Sequence, residues 1–191
     1  MSNKNETKEK ILVMAFQYLN EVGWNNFSYI EFSQKKKINI ERVNFFFEDK
    51  SFLLKEFISF IDEQVIKELA NEKLEKDQVK DNIFEVLMIR FEKLQPYKKG
   101  LKSIFPILKK RPKLLNAVAQ QLFSSMDLVL EISMAKKGFI FNKFALNGLF
   151  LIYVNAFNLW LDDDSSEMNK TMARLDLLLS RSEFILNKIK I

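Results

Sequence analysis

The sequence predicts an all-α protein, and three observations carry the prediction. Only four Gly and three Pro interrupt 191 residues, 48% of them hydrophobic, which leaves few turn signals for a β-architecture. Apolar residues return every three or four positions in segment after segment, the spacing of one helix face. The residues that open several of these segments, Ser28 and Asn39 among them, are helix-capping types. A chain of this length can bury a core as one domain, or support a small domain followed by a larger one.

The first helix is expected over Thr7 to Val22, where Ile11, Ala15, Leu19 and Val22 share a face and Gly23 closes the segment. Ser28 can cap a short second helix through about Lys35, and Asn39 a third through about Phe46. Two short helices joined by Lys36 to Ile38 read as a helix-turn-helix, followed by a longer helix from about Ser51 to Lys73. On the third helix Val43, Phe46 and Phe47 are expected to point inward, with Arg42, Asn44 and Phe45 outside. A domain of some fifty residues has little core, so each aromatic contributes much of its burial.

Further helices are expected at about Asp77 to Leu94, Lys98 to Lys109, Pro112 to Ala135, Ile140 to Leu161 and Ser166 to Lys190. Pro96 and Pro112 mark breaks, and Pro112 suits the first turn of its helix. Pro106 sits inside a helix and should kink or split it. Gly138 and the run Asp162 to Asp164 mark the last two turns. Met168, Met172, Leu175, Leu179, Ser182, Leu186 and Ile189 draw one apolar seam down the final helix. The helix before it is apolar almost all round and needs cover on every side. A homodimer through these last two helices supplies that cover, and burial within one monomer is the other reading.

Composition removes several chemistries. Without His or Cys there are no disulfides, no thiolate or imidazole catalysis, and few routes to a transition-metal site. No nucleophile with a base is apparent, so a non-enzymatic protein with no cofactor and no metal is expected. The absence of Cys fits a reducing compartment, hence a cytoplasmic location, and MSNKNETKEK lacks the features of a secretory signal. Phe139 to Leu161 is long enough to span a bilayer, but Asn142, Lys143, Asn147, Asn155 and Asn158 interrupt it, so a buried helix rather than a transmembrane segment is expected. The net charge of +5 favours anionic partners.

The turn region matches a known pattern. Phe32 and Ser33, Lys36 and Lys37, Ile38 and Asn39, Arg42 and Asn44, then Phe46, Phe47, Lys50, Leu53 and Leu54 follow without a gap the N-terminal signature of TetR-family regulators, which the chain resembles. The framework positions agree. The DNA-facing ones depart: the turn alanine and glycine are both lysine, the threonine is Arg42 and the tyrosine is Asn44. Lys37 must therefore accept a backbone position where glycine usually relieves strain.

The second half, in NIFEVLMIRFEKLQPYKKGLKSI and FNKFALNGLFLIYVNAFNLWLDDDSSEMNKTMARLDLLLSRSE, resembles the COQ-nine family of ubiquinone-biosynthesis accessory proteins, which share the TetR fold and bind isoprenoid lipids. The two resemblances imply a helix-turn-helix domain at residues 1–50 and a ligand-binding, dimerising, COQ-nine-like domain at 51–191.

For double-stranded DNA the candidate residues are Ser28, Lys35, Lys36, Lys37, Asn39, Arg42, Asn44 and Lys50. Lysines at the rim neutralise phosphate, and donors on the third helix read bases, such as Arg42 on guanine or Asn44 on adenine. Residues 1–50 carry eight basic and seven acidic residues, and Glu41 on the third helix would repel phosphate. A helix-turn-helix that no longer reads DNA stands beside the first reading.

For an apolar or isoprenoid small molecule the candidates are Phe84, Met88, Phe91, Phe105, Phe123, Met126, Phe144 and Phe150, with Asn147 and Asn158 offering polar contacts; the same residues also suit an ordinary core. From Lys93 to Met126 there are eight basic residues and no acidic one, interleaved with Leu101, Ile104, Phe105 and Leu108. This run fits a peripheral anionic membrane contact, a protein partner or a solvated helix face. Asp162 to Asp164 read as caps of the final helix rather than a cation site. Together these features give a TetR-like DNA-binding regulator of transcription with a ligand-binding dimeric second domain. The alternative is a lipid-binding accessory protein of ubiquinone biosynthesis with a vestigial helix-turn-helix.

Overall fold

The structure, a computed structural model, describes residues 7–70, 74–75, 78–135, 139–165 and 167–189. Among them there are nine α-helices and no strand. In chain order the helices are α1 (Lys8–Asn26), α2 (Tyr29–Lys36), α3 (Ile40–Phe46), α4 (Lys50–Leu69), α5 (Val79–Leu94), α6 (Lys98–Lys110), α7 (Pro112–Ile132), α8 (Phe139–Trp160) and α9 (Asn169–Ile189), with a 3-10 turn at Gln95–Tyr97 carrying Pro96. The expected limits Lys73, Asp77, Gly138, Ser166 and Lys190 lie outside the described residues. The chain divides into two compact units, Met1–Ile61 with Leu94–Gln121, and Asp62–Lys93 with Leu122–Ile191.

In the first unit α1 is capped by Thr7, whose hydroxyl accepts from the Lys10 amide at 3.3 Å, and it leaves helical geometry at Gly23, φ 72° and ψ 166°. That break turns the Trp24 amide toward Ser103, whose Oγ accepts it at 2.9 Å. The core is aromatic: the Phe16 ring stacks on Phe57 at 3.6 Å between centroids, and Tyr97 meets Phe57 edge-on at 5.0 Å. Phe27, Phe32 and Phe47 are fully buried as well, Phe27 and Phe32 against each other and Tyr18. Of the kink or split expected at Pro106, the split does not occur, and α6 runs on through it. Pro106 is exposed, so the helical hydrogen bond it forgoes lies on the water side, where its loss costs little.

In the second unit α8 and α9 pack on each other. Leu149, Tyr153, Ala156 and Trp160 form the buried face of α8, and Thr171, Leu175 and Leu179 that of α9. Two expectations are corrected here. Met172 is exposed and Thr171 takes its place in the seam, because Thr171 caps onto Asp163; Leu186 and Ile189 have side chains outside the described residues. Cover of α8 on every side does not hold within one chain: Phe144 and Leu151 are 67% and 68% exposed. No helix among the described residues is long and apolar enough to cross a membrane.

Candidate nucleic-acid interface

The α2–α3 corner is built by local hydrogen bonds. Ser28 opens α2, its Oγ accepting from the Glu31 amide at 3.2 Å. At the other end the Ile38 amide donates to the Ser33 carbonyl at 2.9 Å and the Lys37 amide to the Gln34 carbonyl at 3.3 Å. This paired closure needs one residue in the left-handed region. Lys37 supplies it, at φ 57° and ψ 39°, as the sequence required. Ile38 is buried behind the turn, and Asn39 then opens α3 with its Oδ1 accepting from the Glu41 amide at 2.8 Å.

On α3 successive side chains are about 100° apart around the axis. Val43 and Phe47 share the inward face and are buried, while Phe45, nearly opposite, is 82% exposed. Phe46 is only half-buried, not inward as expected. It lies between the two faces, where the Arg42 guanidinium stands over its ring at 5.7 Å. The run of three phenylalanines thus has three uses: core, platform and surface. Asn44 and Phe45 are both exposed as expected, whereas Arg42, expected outside with them, is half-buried against Phe46, so α3 presents an amide and an aromatic face with a partly covered guanidinium beside them. Those groups suit adenine, the thymine methyl and guanine respectively.

The lysines differ in what already holds them. Lys35 and Lys37 are exposed. The half-buried Lys36 meets Glu21 at 3.3 Å and lies over the Tyr18 ring at 5.8 Å. Lys50 donates to the Trp24 carbonyl at 3.5 Å and sits over the Trp24 and Phe27 rings at 5.1 and 5.6 Å. Burial, and then the nearby Arg111 charge, hold the Lys50 ammonium below its ordinary value. Of the eight sequence-derived residues, Lys35, Lys36, Lys37 and Asn39 stand at the α2–α3 turn and Arg42 and Asn44 follow on α3, while Ser28 opens α2 and Lys50 opens α4 beside Trp24; four are exposed and four half-buried.

The crystal structure of the TetR transcriptional regulator from Nitrosomonas europaea ATCC 19718 superposes on the chain with a TM-score of 0.77, covering 94% of this chain and 99% of that one, at 15% sequence identity. The fold is TetR-like. At that identity the likeness is one of fold. No protein-family model matches the chain, and no curated protein does. The resemblance of the second half to the COQ-nine family therefore has no support among these comparisons.

Within the TetR-like fold the ligand candidates do not form one set. Phe91 and Met126 are fully buried and Met88 is buried, with Phe91 against Tyr153 at 5.7 Å and Trp160 at 5.8 Å. Phe84, Phe123 and Phe150 are half-buried, and the Phe123 and Phe150 rings stack at 4.0 Å. Phe144, Asn147 and Asn158 lie on the exposed side of α8, and the Asn147 amide nitrogen donates to its own helix at the Lys143 carbonyl. Phe105 belongs to the first unit.

Sequence reasoning missed two features of this TetR-like chain. One is Phe45 as an exposed ring beside the candidate DNA-facing residues, on the outer face where helical spacing from Val43 already placed it. The other is a buried polar cluster in the second unit. Arg90, 2% exposed, pairs with Asp62 through Nη1, donates from Nε to the Tyr153 hydroxyl at 3.2 Å and from Nη2 to Ser125 Oγ at 3.4 Å, while Ser125 donates to Asp62. Burial opposes the guanidinium charge, but the Tyr153 and Asp62 oxygens more than offset it and hold Arg90 above its ordinary value.

Proposed function

We propose that the chain is a TetR-like DNA-binding regulator of transcription. In this reading residues 1–50 read DNA, and residues 51–191 dimerise and receive an apolar ligand whose binding alters the spacing of two α2–α3 corners on a palindromic operator. The observation that carries it is the exposure of Asn44 and Phe45, with the half-buried Arg42 guanidinium over Phe46 beside them, on a short helix anchored by Val43 and Phe47. A helix-turn-helix kept only as scaffold has no need to hold a guanidinium over an aromatic platform beside an exposed amide and an exposed ring.

Dimerisation is supported by the apolar side chains that one chain leaves open on α8 and α9: Phe144, Leu151, Leu177 and Phe184, between 40% and 68% exposed. A symmetric pairing of these faces would remove them from water. Phe84, Met88, Phe91, Phe123, Met126 and Phe150 would then serve a ligand through side chains able to repack around it.

Gel-shift titration against the flanking genomic DNA over a series of salt concentrations tests the reading. The expected result is a complex of two protomers per duplex, about a thousandfold or more tighter than on random sequence. Affinity that never rises above that for random duplex overturns it. Native mass spectrometry showing retained isoprenoid lipid and no duplex complex would favour the accessory-protein reading instead.

A further inference from the structure

We propose that the corner joining α6 to α7, formed by Lys109, Lys110, Arg111 and Lys113, is a second phosphate-gripping site that holds DNA backbone beside the segment read by α3. The proposal rests on the DNA-binding reading above and extends it to residues outside the helix-turn-helix.

The geometry comes from the way α6 lies along α1. Asn20 donates to the Pro96 carbonyl and accepts from the Gly100 amide, both at 2.7 Å, and one turn further on Ser103 accepts from Trp24. Residue numbers rise together on the two helices, so α6 runs in the same direction as α1. Past Trp24 the first helix stops within three residues, at Asn26, and the chain enters α2 through Ser28. From Ser103, α6 continues for seven residues to Lys110, roughly 10 Å at a helical rise. Its basic end therefore projects toward the end of α1 at which the helix-turn-helix begins. Lys50, at the start of α4, marks the same end: its ammonium caps the Trp24 carbonyl and lies close enough to Arg111 to feel its charge.

Charge and burial say what such a corner can hold. Lys109, Lys110, Arg111 and Lys113 are all exposed, and none has an ionic partner among the described residues. Lys109 rests on the Phe105 ring at 5.0 Å. Four cations within five positions, with no acid from Lys93 to Met126, repel one another until a polyanion is present. An anionic bilayer is the weaker fit. A helix that lies on a membrane buries an open apolar face in it, whereas Ile104 is buried and Leu101, Phe105 and Leu108 are half-buried in the protein. What remains outward from Lys109 to Lys113 is four cations and Pro112, with Leu115 exposed just beyond, a charge-dominated surface with too little open apolar area to sink into a bilayer and suited to a phosphate backbone.

The test compares the wild-type chain with a variant carrying Lys109→Gln, Lys110→Gln, Arg111→Gln and Lys113→Gln, after circular dichroism confirms unchanged helicity. Each lost phosphate contact lowers the slope of log K against log salt by about 0.9. The variant is expected to lose about two to four units of slope and at least tenfold in affinity at moderate salt, equally on operator and random duplex. Arg42→Ala, by contrast, should lose operator preference. A variant slope equal to wild type overturns the proposal while leaving the regulator reading intact. Wild-type protein with no duplex affinity overturns both. Wild-type binding to phosphatidylglycerol vesicles that the variant loses, with duplex binding unchanged, assigns the corner to a membrane and overturns the proposal as well.

Discussion

The two compact units handle charge in opposite ways. The first turns it outward: its interior is aromatic, with Phe16 on Phe57 and Tyr97 against both, and its cations stand at the α2–α3 and α6–α7 corners. The second turns part of its charge inward. Arg90 spends all three nitrogens of its guanidinium on Tyr153, Asp62 and Ser125, and Asp163, fully buried, accepts from the backbone and hydroxyls of Ser165 and Thr171. A charged side chain whose hydrogen bonds are filled from within fixes structure, and one whose bonds are open can take a partner. Residue type alone does not separate the two roles.

The largest break in this comparison is Asp62→Ala. Removing the carboxylate leaves the Arg90 charge buried and short of its main partner, at an expected cost of about 3–5 kcal/mol. Urea unfolding measures it, and pairing the change with Arg90→Met should recover much of the loss. Single Gln replacements at Lys109 or Lys113 should stay within about 0.5 kcal/mol. An Asp62→Ala cost below about 1 kcal/mol would mean that the inward charge is ornamental and that the units do not differ in this respect.

Next in size is Asp163→Ala, at about 2–3 kcal/mol, since it strands the Thr171 and Ser165 donors. Burial alone would raise the Asp163 carboxyl, but the hydrogen bonds from Ser165 and Thr171 outweigh it and hold the group well below the usual carboxylate range. The unfolded chain therefore takes up this proton more readily than the folded one. The contribution is complete above about pH 5 and declines as pH falls through the unfolded value near 4. Stability measured from about pH 7 down to 3 should show that loss in the wild type, and a smaller loss in Asp163→Asn.

What could be read from the sequence follows the same division. The outward corner is made of local signals: Ser28 and Asn39 cap helices, Gly23 and the Lys37 turn end them, and each needs only neighbours within five residues. The inward cluster joins residues 28, 35 and 63 positions apart, separations at which no spacing rule operates. Its one local sign was an arginine in the apolar run Val86 to Phe91. Met172 was misplaced for a related reason, because a polar Thr171 with a buried partner outcompetes an apolar neighbour for the inner face, and that partner, Asp163, lies across a turn.

Gly23→Ala tests whether the outward unit tolerates backbone change as readily as charge change. At φ 72° and ψ 166° glycine alone is comfortable, so a methyl group there should cost about 2 kcal/mol even though the nearest side-chain atom, of Ser103, is 3.6 Å from the added carbon. The loss should also weaken the Trp24 to Ser103 bond, visible as faster exchange of the Trp24 amide.

The smallest effect is the one that separates structure from function most sharply. Lys37 holds a left-handed conformation that disfavours any side chain, and its ammonium is exposed at the turn. Lys37→Gly removes the backbone penalty, about 1–2 kcal/mol, while giving part of it back through the freer unfolded chain, for a net gain of about 0.5–1 kcal/mol. The same change removes one cation from the proposed interface, which should lower the salt slope of duplex binding by about 0.9 and the affinity by up to about tenfold at moderate salt. Melting temperature and binding should therefore move in opposite senses. A glycine variant that is more stable and binds DNA as tightly as wild type would take Lys37 out of the interface and leave its conformation without a functional counterpart, as the left-handed and exposed Met134 is outside any proposed site.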